Sequence, residues 1–590
     1  MYVMDGPLKL RVRSKELPSA ETAKLRQRTL KSWLKDLPMA SVGETGRLVY
    51  QMLRKINEAN LPPGDRYKLV SMLRPPTDYV FGALHQQYFS RSEFLSETER
   101  KVASLGPMLQ DELSIGYFSV IEDMLSGSGS RFDNKLILYS AARAIEALSK
   151  IQVAHLQLYS APPEQLWREV CQIYLFIEKN QLADINLRKR GPVKITIASI
   201  FKRLILMAMA DPFQLPSQHT DILFRHVNQW SDLCEIKPFH AEHSGIVINL
   251  NSGEGPRHRG VTSSTPTPTW RLIDVDPLLA TLQNDTSIEL EENLPNKLIR
   301  HLLRVWGAVS KRSFPRVNYS AQVELSFGLG ASHFMLETQE EESATPLNKA
   351  PKTDILSTLS FEDDDPHLTE NRLSQRSLDA WDRTNYSVGA DRFQKGKTII
   401  DDIGGKPRYS KYNGNVVNIS PGGYRIAIDR PFPKGMQVGE IVSLRESAED
   451  NSPPSWNIGI IRWLKQTASD LSIGVQLLAP NASPIKSKII SKKIEGEYLR
   501  GLLLPAIRGI GQEATLITPT VYKTDDKLYI KLESKQISVR LVKEVASNTT
   551  YKQFEFERVE LEKEAPLSPK KAVNLQSNSS DDIDKLWSLI

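Results

Sequence analysis

Asn418, Ser420 and Gly423 stand in the run Asn418-Ile419-Ser420-Pro421-Gly422-Gly423, and their types and spacing suit ligand recognition better than covalent chemistry. On an extended backbone residues two apart point to one face, so the Asn418 amide and the Ser420 hydroxyl offer hydrogen bonds side by side. The Pro-Gly-Gly next to them makes a tight turn, and Gly423 can take a positive φ that a side chain resists. Two polar groups and a bare stretch of backbone then aim at one spot. The same run also serves as an ordinary hairpin turn. Arg312 and Arg316, in Lys311-Arg312-Ser313-Phe314-Pro315-Arg316, add two guanidinium groups four residues apart. A guanidinium pairs with phosphate through a fixed planar fork and stacks on π-faces, which lysine does not reproduce.

These residues need strands to hold them. Asn415 to Ile428 reads as a strand interrupted by the turn, and Val323-Glu324-Leu325-Ser326-Phe327 alternates directly after the arginines. Further strands are expected at Ile441 to Leu444, Ile458 to Leu464 and Ile473 to Leu478. Two other pairs share the Arg-x-x-x-Arg spacing. Arg300 and Arg304 fall inside a helical pattern, and Arg372 and Arg376 have no alternating strand beside them.

An Arg-x-x-x-Arg ahead of a strand, an Asn-x-Ser-x-x-Gly turn, then a Gly-Ile-Ile-Arg-Trp-Leu and an Ile-Gly-Val-Gln-Leu-Leu strand resemble the PilZ domain. That family is a small antiparallel β-barrel that binds the bacterial second messenger cyclic di-GMP. The resemblance spans roughly Lys311 to Pro480, with one large insertion. The whole layout looks like the long PilZ-containing receptors of bacteria that carry type IV pili. It implies that Arg312 and Arg316 clamp the ligand, that Asn418 and Ser420 bond a guanine edge, and that Gly423 permits close approach. The chain departs from a compact PilZ domain in spacing, with about a hundred residues between Arg316 and Asn418. An insertion that loops out of a hairpin preserves the site; one that re-routes the strand brings Arg372 and Arg376 forward instead.

The resulting expectation is a cytoplasmic, non-enzymatic cyclic di-GMP receptor, with no cofactor or metal, that couples the messenger to a protein partner. The resemblance points to surface attachment or the pilus machinery for that partner. A second reading is a degenerate PilZ-like scaffold that no longer binds nucleotide. A third, an RNA-binding barrel, needs a basic groove with clustered exposed aromatics, and the β half has no such cluster.

Composition fits this frame. Hydrophobic content of 40%, charged content of 25% and a net charge of +6 over 590 residues are ordinary for a globular protein and give no strong field for nucleic acid or membrane. No apolar stretch reaches the ~18 residues of a membrane span, and Met1 to Arg13 lacks a signal-peptide core. Two cysteines, Cys171 and Cys234, in apolar contexts suit a reducing compartment. His240 and His243 have no second ligand pair nearby, and Asp363-Asp364-Asp365 lacks the spacing of a calcium loop.

The expected architecture is α+β and multidomain. Helical periodicity runs through residues 20–306, including Leu136 to Tyr159, Glu164 to Glu178, Ile195 to Met209 and Leu278 to Trp306. Asp65 to Leu73 is bounded by Pro62-Pro63 and Pro75-Pro76 and is expected to be a short helix. Gly245 to Leu250 reads as a strand and Asn251 to Thr269 as a loop. The PilZ-like barrel occupies 307–336 plus 407–480. Between them, 337–406 reads as a disordered acidic insertion, since Glu337 to Glu370 holds ten acidic residues against two lysines. A second β-rich region is expected over 481–562, and 563–590 reads as a flexible tail.

Overall fold

The computed structural model describes residues 8–89, 94–126, 133–188, 194–260, 267–284, 295–307, 316–344, 409–420, 422–433, 436–446, 455–467, 470–479, 482–490, 498–506, 513–532 and 535–559. A helical unit is followed by two closed six-stranded antiparallel barrels.

The helical unit is built where the apolar stripes require it. The helix Asn134–Gln157 starts at Asp133, whose carboxylate accepts from the backbone N–H groups of Lys135 and Leu136 and satisfies two orphan donors. It packs on Leu105–Leu125, which is buried nearly all round and forms the centre of the unit. Two expectations are corrected here. The short helix ending at Leu73 instead continues as Pro63–Leu84 through Pro75 and Pro76. Burial of Pro76, Val80 and Leu84 on the neighbouring helices outweighs the hydrogen bonds the prolines remove. The expected single helix Leu278 to Trp306 is two, Asp276–Asn284 and Asn296–Gly307.

A small sheet comes next, with β1 (Glu235–Pro238), β2 (Gly245–Asn249), β3 (Arg257–Arg259) and β4 (Trp270–Asp274) in the order β1-β4-β2-β3. β3 lies inside the stretch expected to be loop. Its sequence, Arg-His-Arg, has no apolar alternation to reveal it, and pairing with β2 supplies the order instead.

The first barrel comprises β5 (Val317–Phe327), β6 (Tyr412–Ser420), β7 (Gly423–Ile428), β8 (Ile441–Glu446), β9 (Asn457–Gln466) and β10 (Leu471–Ala479), closed in the order β10-β7-β6-β5-β8-β9. β5 and β6 pair directly although a long stretch of chain separates them, so the barrel survives the insertion. The helix Leu329–Ala344 succeeds β5, so Glu337 to Ala344 are helical rather than part of a disordered excursion. Residues 345–406 of the insertion lie outside the described residues, as does the tail 563–590.

The second barrel contains β11 (Ser483–Ile489), β12 (Leu499–Leu504), β13 (Thr515–Thr518), β14 (Lys527–Leu532), β15 (Lys535–Ser547) and β16 (Lys552–Arg558) in the order β11-β12-β13-β16-β15-β14. Its core is Ile485, Leu516, Leu528, Val539, Leu541 and Phe554.

Two contacts decide which face of the first barrel stays open. The helix Leu329–Ala344 and the second barrel cover the outer face of β8 and β9, where Ile441, Ile458 and Ile460 join Met335, Leu336, Leu502 and Ile517 in one apolar cluster. This is why Ile441 to Leu444 is an unbroken buried run. The helical unit closes one end, where Phe94 and Tyr159 enter the barrel core itself. There Phe94 N–H donates to the Met436 carbonyl at 2.7 Å, Gln466 N–H donates to the Tyr159 carbonyl at 2.7 Å, and Arg430 meets Glu97 at 3.0 Å. Among the described residues, that covering cluster includes no residue of β5, β6 or β7, nor Trp463 of β9 or Leu471 to Gln476 of β10.

The junction of the barrels holds a titratable group. His333 is 1% exposed, and burial pushes its imidazole down to about 4 against the opposing pull of Glu337, whose carboxylate lies 3.7 Å away. A histidine with a folded value below its unfolded one stabilises the fold fully above about 6.5, and that contribution is lost as pH falls from there toward about 4. Thermal unfolding followed between pH 7.5 and 4 is expected to lose stability in this window, and His333→Gln to flatten that limb. An unchanged slope in the variant would exclude His333 as its source.

Candidate functional site

Antiparallel register sets the site. Directly opposed residues share a face, so the pairs Asn318↔Asn418, Asn418↔Arg425, Arg425↔Gly474 and Gly474↔Trp463 form one transverse row across β5, β6, β7, β10 and β9. The intervening pairs, Ile419↔Tyr424 and Tyr424↔Val475, turn inward to the core. The row therefore lies on the open outer face.

A β-bulge makes this possible. Val416 points into the core, and plain alternation would send Asn418 and Ser420 inward after it. The register shifts between Val416 and Asn418, leaving Val417 as the extra, 37% exposed residue and reversing the in-out parity of the rest of β6. Asn418 and Ser420 thereby face outward while Ile419 takes the core position.

The turn needs Gly423 on two grounds. Its φ is +146°, and a Cβ there would stand 1.9 Å from the Val475 carbonyl oxygen of the adjacent strand. Ser420 Oγ donates to the Gly423 carbonyl at 3.4 Å, and Gly423 is itself paired with Ser420 across the turn. Gly474 plays the second small-residue part. A Cβ at that position would lie 1.9 Å from Trp463 Nε1, so glycine lets the indole rest on the strand. From sequence, barrel-core positions are expected over stacking ones for both Trp463 and Tyr424; Trp463 is instead half-buried and faces outward, whereas Tyr424 does pack against that core. Burial, with Glu446 beside it, pushes the Tyr424 phenol up to about 12, so it stays a neutral hydroxyl.

Of the residues expected from sequence, Asn418, Ser420 and Gly423 come together. Arg316 is exposed and stands two residues before Asn318, the strand partner of Asn418, so it enters from the β5 side of the row. Arg312 lies outside the described residues, and so do Arg372 and Arg376. Sequence reasoning missed Arg425 and placed Trp463 on the wrong side. The signal for Arg425 was present: Gly423, Arg425 and Ala427 are spaced by two and share one face of β7.

No helix among the described residues is long and apolar enough to cross a membrane, and no cluster of three or more His, Cys, Asp or Glu suited to a metal occurs among them. Cys171 and Cys234 are buried free thiols, and burial pushes both up to about 12, so neither is a poised nucleophile. The arrangement offers an amide, a hydroxyl, guanidinium groups and an aromatic face on an open strand surface. That inventory suits a polar aromatic anion, and among the described residues it holds no general base beside a nucleophile.

Three domain models match the chain in order. They are the N-terminal domain of the cyclic-di-GMP receptor FimW over residues 28–241, its middle PilZ domain over 246–484, and its C-terminal β-barrel domain over 487–559. The chain is also 26% identical over 587 residues to the cyclic-di-GMP receptor FimW of Pseudomonas aeruginosa, covering 95% of each chain.

Proposed function

Because the chain belongs to the family of FimW-type PilZ receptors, whose three domains it carries in sequence, we propose that it is a receptor for cyclic di-GMP. The observation that carries this reading is the bulged β6 strand, which turns Asn418 and Ser420 outward beside Gly423 within the stretch matched by the PilZ model. Cyclic di-GMP has two singly charged phosphodiesters and two guanines. Guanine O6 and N7 both accept, which a guanidinium meets bidentately. Arg312 and Arg316 are assigned to clamp the ligand from the segment ahead of β5, with Asn418 and Ser420 bonding a guanine edge. Gly423 keeps the backbone accessible, and Trp463 offers a stacking face.

On this reading the protein is a cytoplasmic effector rather than an enzyme. The helical unit and the second barrel present surfaces to a protein partner in surface attachment or the pilus machinery. Ligand on the β5–β10 face and the helical unit at the barrel end are linked through β9, which carries Trp463 in the row and Gln466 at the seam.

Titration calorimetry with cyclic di-GMP tests the reading. Arg312→Ala, Arg316→Ala and Asn418→Ala are each expected to weaken binding at least tenfold, from the ~1–3 kcal/mol of a bidentate or charge-assisted contact. A wild-type protein that takes up no ligand would leave the scaffold reading in its place.

A further inference from the structure

Deepening the function proposed above and resting on it, we infer that Arg425 reads the O6 and N7 acceptors of a ligand guanine beside Asn418. Arg425 is opposed by Asn418 on one side and Gly474 on the other, at the middle of the outer row, and Trp463 stands one strand further on. Glycine at 474 lets the Trp463 indole lie over that strand beside Arg425, where it forms a wall.

Among the described residues the arginine has no structural partner. Other outer-face arginines of this barrel have one: Arg445 Nε donates to the Glu324 carboxylate at 2.9 Å, and Arg462 Nε donates to Gln476 Oε1 at 2.6 Å. Among the described residues Arg425 makes no ion pair, and its Nε is shielded from solvent with no group accepting from it. Its neighbours in the row, Asn318, Asn418, Gly474 and Trp463, are all uncharged. A half-buried cation with no protein anion is disfavoured in isolation and becomes favourable when a ligand brings acceptors to it.

The planar fork of a guanidinium matches two adjacent acceptors. Guanine presents O6 and N7 in that arrangement, whereas adenine replaces one acceptor by a donor. Asn418 at the adjacent position supplies an amide that can address the same base. The lysine ammonium is a point charge without the fork, so a lysine variant separates base reading from attraction to phosphate.

The test uses the full-length chain and calorimetric titration with cyclic di-GMP. Both Arg425→Ala and Arg425→Lys are expected to bind at least tenfold more weakly than wild type, with thermal unfolding close to wild type. Should the alanine variant not fold, Arg425→Gln takes its place. Affinity within twofold of wild type in the lysine variant, or in the folded alanine or glutamine variant, overturns the inference. Absence of binding by the wild-type chain would instead overturn the receptor reading on which it rests.

Discussion

Replacing Gly423 by alanine is expected to destabilise the first barrel by about 3 kcal/mol or more, because a strained backbone alone costs about 1–3 kcal/mol and a backbone clash adds to it. The methyl carbon would sit 1.9 Å from the Val475 carbonyl oxygen, at a φ of +146° that side chains rarely adopt. The strand pairing of β7 with β10 must then open, and this is the pairing that sets Arg425 against Gly474. Gly422, one residue earlier, is the control. It has no positive φ, and a Cβ there meets nothing within 4 Å. Gly422→Ala should therefore fall within about 0.5 kcal/mol of wild type or gain slightly from reduced freedom of the unfolded chain. Denaturant unfolding of the two variants decides the matter. Equal stabilities would mean that the turn does not depend on glycine at the position assigned here.

The second large effect concerns the seam between the helical unit and the first barrel. Tyr159 and Phe94 are 2% and 5% exposed and belong to the barrel's own apolar cluster although they come from the helical unit. Tyr159→Ala and Phe94→Ala should each cost about 3–5 kcal/mol, the range for deleting a buried aromatic ring. Tyr159→Phe removes only the phenol that donates to the Leu215 carbonyl at 3.2 Å, and should cost about 1 kcal/mol. Unfolding monitored by Trp456 and Trp463 fluorescence in otherwise tryptophan-depleted chains reports on the barrel directly. A loss below about 1 kcal/mol in both alanine variants would show that the barrel core is complete without the helical unit.

Sequence and structure agree where one local signal dominates. The helices Asn134–Gln157 and Gln165–Lys179 arise from apolar periodicity, and the hairpin of β6 and β7 from its Pro-Gly-Gly turn. The split barrel was legible because each strand of it carries either alternation or a short buried run. The failures share a cause, which is that tertiary contacts overrode the local signal. Pro75 and Pro76 remain inside a helix because the next two turns are buried. Arg257–Arg259 becomes a strand only because β2 lies beside it. The acidic residues after Glu337 continue a helix whose earlier turns pack between the barrels, where Glu337 also meets Lys486 at 3.3 Å. The candidate site was legible in its residue types but not in its orientation. Nothing in Val416-Val417-Asn418 announces a bulge, yet that one extra residue decides which side of the sheet the amide faces. Trp463 was misplaced for the same reason, since its outward position depends on register across to Gly474.

The seam also bears on how the chain comes to be folded during synthesis. Phe94, Tyr159 and Phe213, which complete or border the barrel's interior, all precede the first barrel strand at Val317. At common translation rates Tyr159 leaves the ribosome on the order of ten seconds before β5, and helical units of local contacts form in a small fraction of that time. β5 then has to wait for β6, made after the long insertion, before the sheet can close. The segments that the helical unit meets, around Arg430 to Met436 and at Gln466 of β9, are made later still, so the unit is in place before its partners in the barrel exist. The N-terminal half is thus made, and able to fold, before the domain whose interior it completes.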